Sequence, residues 1–193
     1  MKLRESGMPD EKFWESLFDV ELILDRLRID QSLQEIVELG CGYGTFTLPV
    51  ARRIAGRLHT FDIAEEMVAR TAERAKAEKL DNVVCEMRDV FLTGFGVPSE
   101  SQDACLLFNI LHGEEPMRLL NEAARVVRPG GFVHVIHWRH DSATPRGPSL
   151  AIRPHPEQIA AWAAHTGQLF AAGPTMNLPP WHYGLRLVKD SSQ

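Results

Sequence analysis

The residues best suited to chemistry in this chain stand in the run Val37-Glu38-Leu39-Gly40-Cys41-Gly42-Tyr43-Gly44-Thr45. An apolar strand pattern ends in alternate glycines and opens a helical pattern, which is how open α/β sheets build a ligand crevice. Glycine serves there because a ligand must come close to the main chain and the turn calls for positive φ. A dinucleotide fingerprint requires another glycine three positions beyond Gly42, and that residue is Thr45. Glu38 stands at the strand end. A carboxylate there repels a pyrophosphate lodged at the helix start and suits a ligand that carries positive charge.

Three more strand ends bear polar residues. Asp62 lies about twenty residues beyond the glycines, where an acid accepts hydrogen bonds from both hydroxyls of a ribose. It also suits the cap of the next helix, whose first turn holds Glu65 and Glu66. Asp89, in Arg88-Asp89-Val90, is placed to receive the exocyclic amine of an adenine, with Val90 or Phe91 against the ring; aspartate is equally ordinary turn chemistry at a strand-to-loop junction. In Phe108-Asn109-Ile110-Leu111-His112-Gly113, Asn109 and His112 interrupt an apolar run where a substrate would meet a cofactor. His112, His137, His140 and His182 are candidate bases by location. A histidine at a strand end is more often a satisfied hydrogen-bonding residue, and of these His112 is the one retained as a catalytic candidate. His134 and His137 alternate on an extended pattern and face opposite sides, so they form no metal pair.

The elements that must position these residues follow from periodicity. Apolar runs at 35–39, 58–63, 82–87, 103–111 and 132–138 alternate with helical patterns at 45–55, 64–79 and 116–127. That is the order of right-handed βαβ units, with a parallel sheet covered on both faces. Arg128-Pro129-Gly130-Gly131 reads as the stop of one helix and the turn into the next strand. Residues 10–29 read as one amphipathic helix through Phe13, Leu17, Val20, Leu24 and Leu27. After Trp138 come a Pro- and Gly-rich loop over 139–156, a helix over 157–165, and strands near 169–172 and 182–188. The expected fold class is a doubly wound, mostly parallel α/β sheet.

Composition sets the outer bounds. With 193 residues, 44% hydrophobic and 24% charged, the chain suits a single globular domain that needs no disulfide or metal to fold. A formal charge of -5 without a basic cluster argues against generic nucleic-acid binding. Cys41, Cys85 and Cys105 make an odd, unclustered set, expected as reduced thiols. No signal peptide is read at the start, and the longest apolar run is too short to span a bilayer, so a soluble, cytoplasmic protein without a membrane partner is expected.

The glycine run with its leading acid, Asp62, Asp89, the Asn109–His112 strand end and the Arg128–Gly131 turn, in that order, resemble the class I S-adenosylmethionine-dependent methyltransferases of the small-molecule, type 11/12-like kind. The resemblance covers residues 35–138 closely and extends to Pro180–Leu185. It implies a Rossmann-like sheet of about seven strands with an antiparallel last strand. A single domain over 1–193 would carry a helical lid at 1–30, a cofactor core at 35–138, and a loop, helix and strands over 139–193. It implies S-adenosylmethionine as cofactor. Glu38, Gly40 and Gly42 would line its methionine end, with Cys41, Tyr43 and Gly44 in the same turn. Asp62 would hold the ribose, Ile63 and Met67 would flank the adenine, Asp89 would take its amino group beside Val90, and Asn109 would close the site. The implied activity is methyl transfer to a small-molecule acceptor. An NAD-linked oxidoreductase and a non-catalytic cofactor-binding protein are the rivals. Asn109 is followed by Ile110, so the Asn/Asp-Pro-Pro-Tyr/Phe arrangement for exocyclic amines is absent, as is the Pro-Cys pair of cytosine methylation.

Overall fold

The computed structural model describes residues 8–191. Strands β1 (Glu35–Leu39), β2 (Arg57–Asp62), β3 (Val83–Met87), β4 (Gln102–Phe108) and β5 (Val127–Trp138) pair in parallel, and β8 (His182–Lys189) runs antiparallel to β5. The order is β3-β2-β1-β4-β5-β8-β6. The seventh place is shared: β6 (Leu169–Ala171) pairs with the end of β8, and β7 (Met176–Leu178) pairs with its beginning. Eight strands thus occupy seven positions. The extra one, β7, is a three-residue edge piece too short to announce itself by alternation.

Because successive side chains of a strand point to opposite faces, the sheet feeds two cores. Val37, Leu107, Val133, Val135 and Leu185 meet α6 (Pro116–Val126) and α7 (Pro156–His165) on one face. Ile36, Leu58, Leu106 and Ile136 meet α2 (Val20–Leu27) and α3 (Thr47–Arg53) on the other. The helix α4 (Glu65–Ala77) lies beside α3 over β2 and β3.

Two expectations are corrected here. The single helix over 10–29 is two: α1 (Glu11–Glu15) and α2, broken at residues 16–19. The break lets Leu17 and Phe18 turn inward and leaves Phe13 exposed; Asp19 starts the second helix by accepting the Leu22 N–H. A continuous helix could not bury those residues and also lay α1 along α4. The Arg128–Gly131 turn is not a separate connection but an irregular start of β5, where the register jumps from Gln102↔Val127 to Ala104↔Phe132. Gly131 is required there, since a Cβ would sit 2.7 Å from the Asp103 carbonyl oxygen.

Candidate active site

The chain crosses from one half of the sheet to the other between β1 and β4, and a crevice opens at their C-terminal ends as such switch points dictate. The turn after β1 has Gly40 at φ +87° and Gly42 at φ +51°, a region that side chains with a Cβ rarely enter. Its shape is held from β2: Gly40 N–H donates to the Phe61 carbonyl at 2.7 Å, and Gly42 N–H donates to Asp62 Oδ2 at 3.0 Å. A Cβ on Gly40 would stand 3.4 Å from the Ile110 side chain, and one on Gly42 would stand 3.2 Å from Met8 Cε. The bare faces of both glycines therefore look across the crevice.

Glu38 is 2% exposed and lies under this turn. Its Oε2 accepts from Thr47 Oγ1 at 2.6 Å and Thr60 Oγ1 at 2.7 Å. Burial pushes its carboxyl up from the ordinary 4.5 to about 7; the two hydroxyls pull it down and the Asp62 charge pushes it further up. Among the described residues no cation offsets it. Asp62 is held by two backbone donors from different elements. Its Oδ1 accepts the Ala64 N–H at 3.0 Å while Oδ2 holds Gly42, so it staples the glycine turn to the start of α4 and still faces the crevice. Burial, with the Asp62 and Glu38 charges beside it, pushes the Cys41 thiol up, which leaves it an inert packing group rather than a nucleophile.

The cleft has a volume of about 1370 Å³. It is lined by Glu38, Gly40, Cys41, Gly42, Asp62, Ile63, Asp89, Val90, Asn109 and His112, so most of the residues singled out in the sequence converge. Three do not line it. Met67 is buried within α4. Gly44 faces inward, its absent Cβ directed at Leu48 and Thr71. Tyr43 points its hydroxyl at the Pro9 carbonyl, 2.7 Å away. Asp89 accepts the Leu92 N–H at 3.1 Å and so begins the short helix α5 (Val90–Thr93), which buries Val90 at the cleft wall. Asn109 sits at φ +57°, with its N–H on the Ile136 carbonyl and its side-chain Oδ1 buried without a partner.

The opposite wall joins the described part of the segment expected as a lid to residues outside the turn motifs. Met8, Pro9 and Trp14 arrive from the N-terminal segment, and Phe46, Phe108 and Trp138 from the sheet side. Arg146, Gly147, Pro148 and Ile152 come from the loop after β5. The segment 8–15 is strapped down: Arg74 of α4 donates to Glu11, Glu15 and the Tyr43 carbonyl at 2.7–2.9 Å. The loop is tied by the buried Arg153 guanidinium, which donates to the Pro148 and Arg139 carbonyls. Gly147 lies so close to Trp138 that a Cβ would stand 2.8 Å from the indole. Trp138 lines the cleft, whereas Trp162 and Trp181 pack on the two cores. Of the histidines, His182 is buried against Phe18 and Trp138, and His140 stacks on His155. Only paired long-range positions could have revealed these contacts.

Comparison with known proteins agrees with this geometry. A methyltransferase-domain model matches residues 36–131. The chain belongs to the class I S-adenosylmethionine-dependent methyltransferases. It is 32% identical over 120 residues to a phosphatidylethanolamine N-methyltransferase of Cereibacter sphaeroides, covering 61% of this chain and 55% of that protein. The chain spans about half the length of the curated relatives it matches first. A methyltransferase structure from Aquifex aeolicus superposes with a TM-score of 0.80 at 20% identity, over 93% of this chain and 94% of that one. The N-methyltransferase NodS of Bradyrhizobium japonicum WM9, in complex with S-adenosyl-L-homocysteine, superposes with a TM-score of 0.73 at 15% identity, over 97% and 96% of the two chains. At these identities the two structural likenesses are of fold. Within this methyltransferase chain, the Glu38 carboxyl with hydroxyl donors but no cation, the bare glycine faces and the orphaned Asn109 Oδ1 fit a ligand with an ammonium group and close main-chain contact. Among the described residues no cluster of metal-ligating side chains and no helix long and apolar enough to cross a membrane is present.

Proposed function

We propose that this protein transfers a methyl group from S-adenosylmethionine to a small-molecule acceptor. The observation that carries the reading is Glu38: a buried carboxyl with two hydroxyl donors and no cation, beside glycines whose bare faces look across the cleft. A diphosphate would have to lie against both Glu38 and Asp62, whereas a ligand ammonium would relieve the burial penalty that raises Glu38. When bound, the cofactor supplies an electrophilic methyl group on a sulfonium sulfur. Glu38 and the Gly40–Gly42 backbone hold the amino-acid end, Asp62 keeps the turn closed and offers its carboxylate to the ribose, and Asp89 with Ile63 and Val90 receives the adenine. Asn109 closes the floor. Trp14, Phe108 and Trp138 exclude water from the far end and present a flat, apolar seat for the acceptor, so catalysis comes chiefly from holding two reactants in line.

Isothermal titration of the purified protein with S-adenosylhomocysteine and, separately, NADH tests the reading. Saturable binding of S-adenosylhomocysteine with no heat from NADH is expected. Binding of NADH alone would replace the methyltransferase with an oxidoreductase. Cofactor binding without labelled-methyl transfer across hydroxyl, amine, thiol and carbon acceptors would leave the non-catalytic reading.

A further inference from the structure

His112 lines the cleft just past Asn109, and its Nδ1 stands 3.3 Å from Nε2 of the buried His137. The other nitrogen of His137, Nδ1, lies 3.3 Å from the Trp138 carbonyl oxygen. A carbonyl oxygen can only accept, so His137 Nδ1 carries the proton. His137 is neutral: burial pushes it down to about 3, with His112 and Arg153 adding in the same sense. A neutral ring has one bare nitrogen, which here is Nε2, and His112 must therefore donate to it from Nδ1. His112 is itself kept neutral by burial, pushed down to about 4. Its own Nε2 is then bare, without a partner among the described residues, and it is not among the sealed polar atoms. Proton inventory alone thus leaves one lone pair available on a ring that borders the cleft.

Building on the methyltransferase reading, we infer that His112 Nε2 accepts the proton of a protic acceptor, a hydroxyl or amine seated against Trp14, Phe108 and Trp138, and that His137 is the positioning residue that sets its tautomer. In the step, the acceptor heteroatom's lone pair forms a bond to the methyl carbon as the carbon–sulfur bond breaks, and that bond's electron pair stays on sulfur. The heteroatom's proton passes to His112 Nε2. The imidazolium so formed returns it to water once the product has left, so one positive charge enters as sulfonium and one leaves as a solvated proton. An acceptor with no proton to lose, such as a thioether, would gain nothing from this arrangement.

The experiment uses the full chain with ¹⁵N-labelled histidine. In the protein bound to S-adenosylhomocysteine, ring nitrogen shifts should show His112 protonated at Nδ1 and bare at Nε2. His137→Phe, which removes the acceptor, should scramble that tautomer, and His137→Gln, whose amide oxygen can accept, should restore it. His112→Gln keeps a donor towards His137 but is not basic. It should lower labelled-methyl transfer to a panel of phenols and primary aromatic amines by about 100-fold, while cofactor affinity stays within about 2-fold. A protein that binds S-adenosylhomocysteine yet shows His112 protonated at Nε2 overturns the inference. So does transfer at the wild-type rate by His112→Gln, or no transfer from wild type to any member of the panel. A protein that does not bind S-adenosylhomocysteine fails the underlying methyltransferase reading instead, and the free-protein tautomer still reports on the histidine pair.

Discussion

Replacing Glu38 by glutamine should stabilise the empty protein and weaken cofactor binding, two effects of opposite sign from one atom. The carboxyl is displaced from the ordinary 4.5 to about 7, chiefly by burial. Its native form holds a proton that the unfolded chain gives up, so stability falls as pH rises through that window and the penalty is fully present above it. At about 1.4 kcal/mol per pH unit, the displacement amounts to about 3 kcal/mol at pH 8. The Glu38→Gln substitution removes the titration, while the new amide oxygen can still accept from Thr47 and Thr60. The difference in unfolding free energy between E38Q and wild type, without ligand, should therefore be small near pH 4 and grow to about 3 kcal/mol by pH 8. For a domain of this size that corresponds to a melting-temperature gap on the order of 6–12 °C. Comparing the two proteins cancels the titrating groups that do not interact with Glu38. Calorimetric titration with S-adenosylhomocysteine should show the reverse: losing a charged partner of a ligand ammonium costs about 1.5–3 kcal/mol. Parallel stability curves across pH would mean that Glu38 carries no burial penalty. A stabilised variant with undiminished affinity would place the ligand ammonium elsewhere.

Other substitutions probe the same cleft. Asp62→Asn puts an amide nitrogen against one of two backbone donors, Gly42 N–H or Ala64 N–H, and should cost about 1–3 kcal/mol in urea unfolding as well as affinity; a loss of affinity alone would show that Asp62 does not staple the turn. Asn109 at φ +57° should tolerate glycine but lose about 1–2 kcal/mol of stability as alanine, with S-adenosylhomocysteine affinity reduced equally in both, since the orphaned Oδ1 is gone from each. His134, His137 and His182 are pushed down to about 3, mainly by burial, so the native state keeps them neutral while the unfolded chain protonates below 6.5. Their contribution to stability should fall as pH drops from 6.5, by about 3 kcal/mol between pH 6.5 and 5.5 and about 4 kcal/mol between 5.5 and 4.5, and urea midpoints at those three pH values measure the slope. A flat profile would show those rings exposed.

The parallel core and its crevice were legible because their causes are local. β1 was placed to the residue, and β2 to β4 to within a few residues, since strands covered on both faces need continuous apolar runs and glycines mark the turn where ligand and main chain meet. Glu38 stands out in the sequence because no local structure calls for a carboxylate before such a turn, and the structure buries it under that turn. The turn's hold on β2 was not legible: Asp62 bonds two backbone N–H groups twenty-two residues apart, a pairing visible only once β1 and β2 lie side by side. Tyr43 and Gly44 belong to the right turn but face α4 and the N-terminal segment, because a helix opening there rotates successive side chains away from the ligand.

Periodicity and residues adjacent along the chain suffice for the sheet class, for the alternation of strands and helices from β1 to β5, and for the glycine turn after β1 with its leading acid. Folding was needed to bring Trp14, Phe108 and Trp138 to one side of the cleft, to strap segment 8–15 down with Arg74, and to pair His137 with His112. Those contacts join residues tens of positions apart, and the chain encodes them only through the burial that folding brings about, a cooperative quantity that no local window contains.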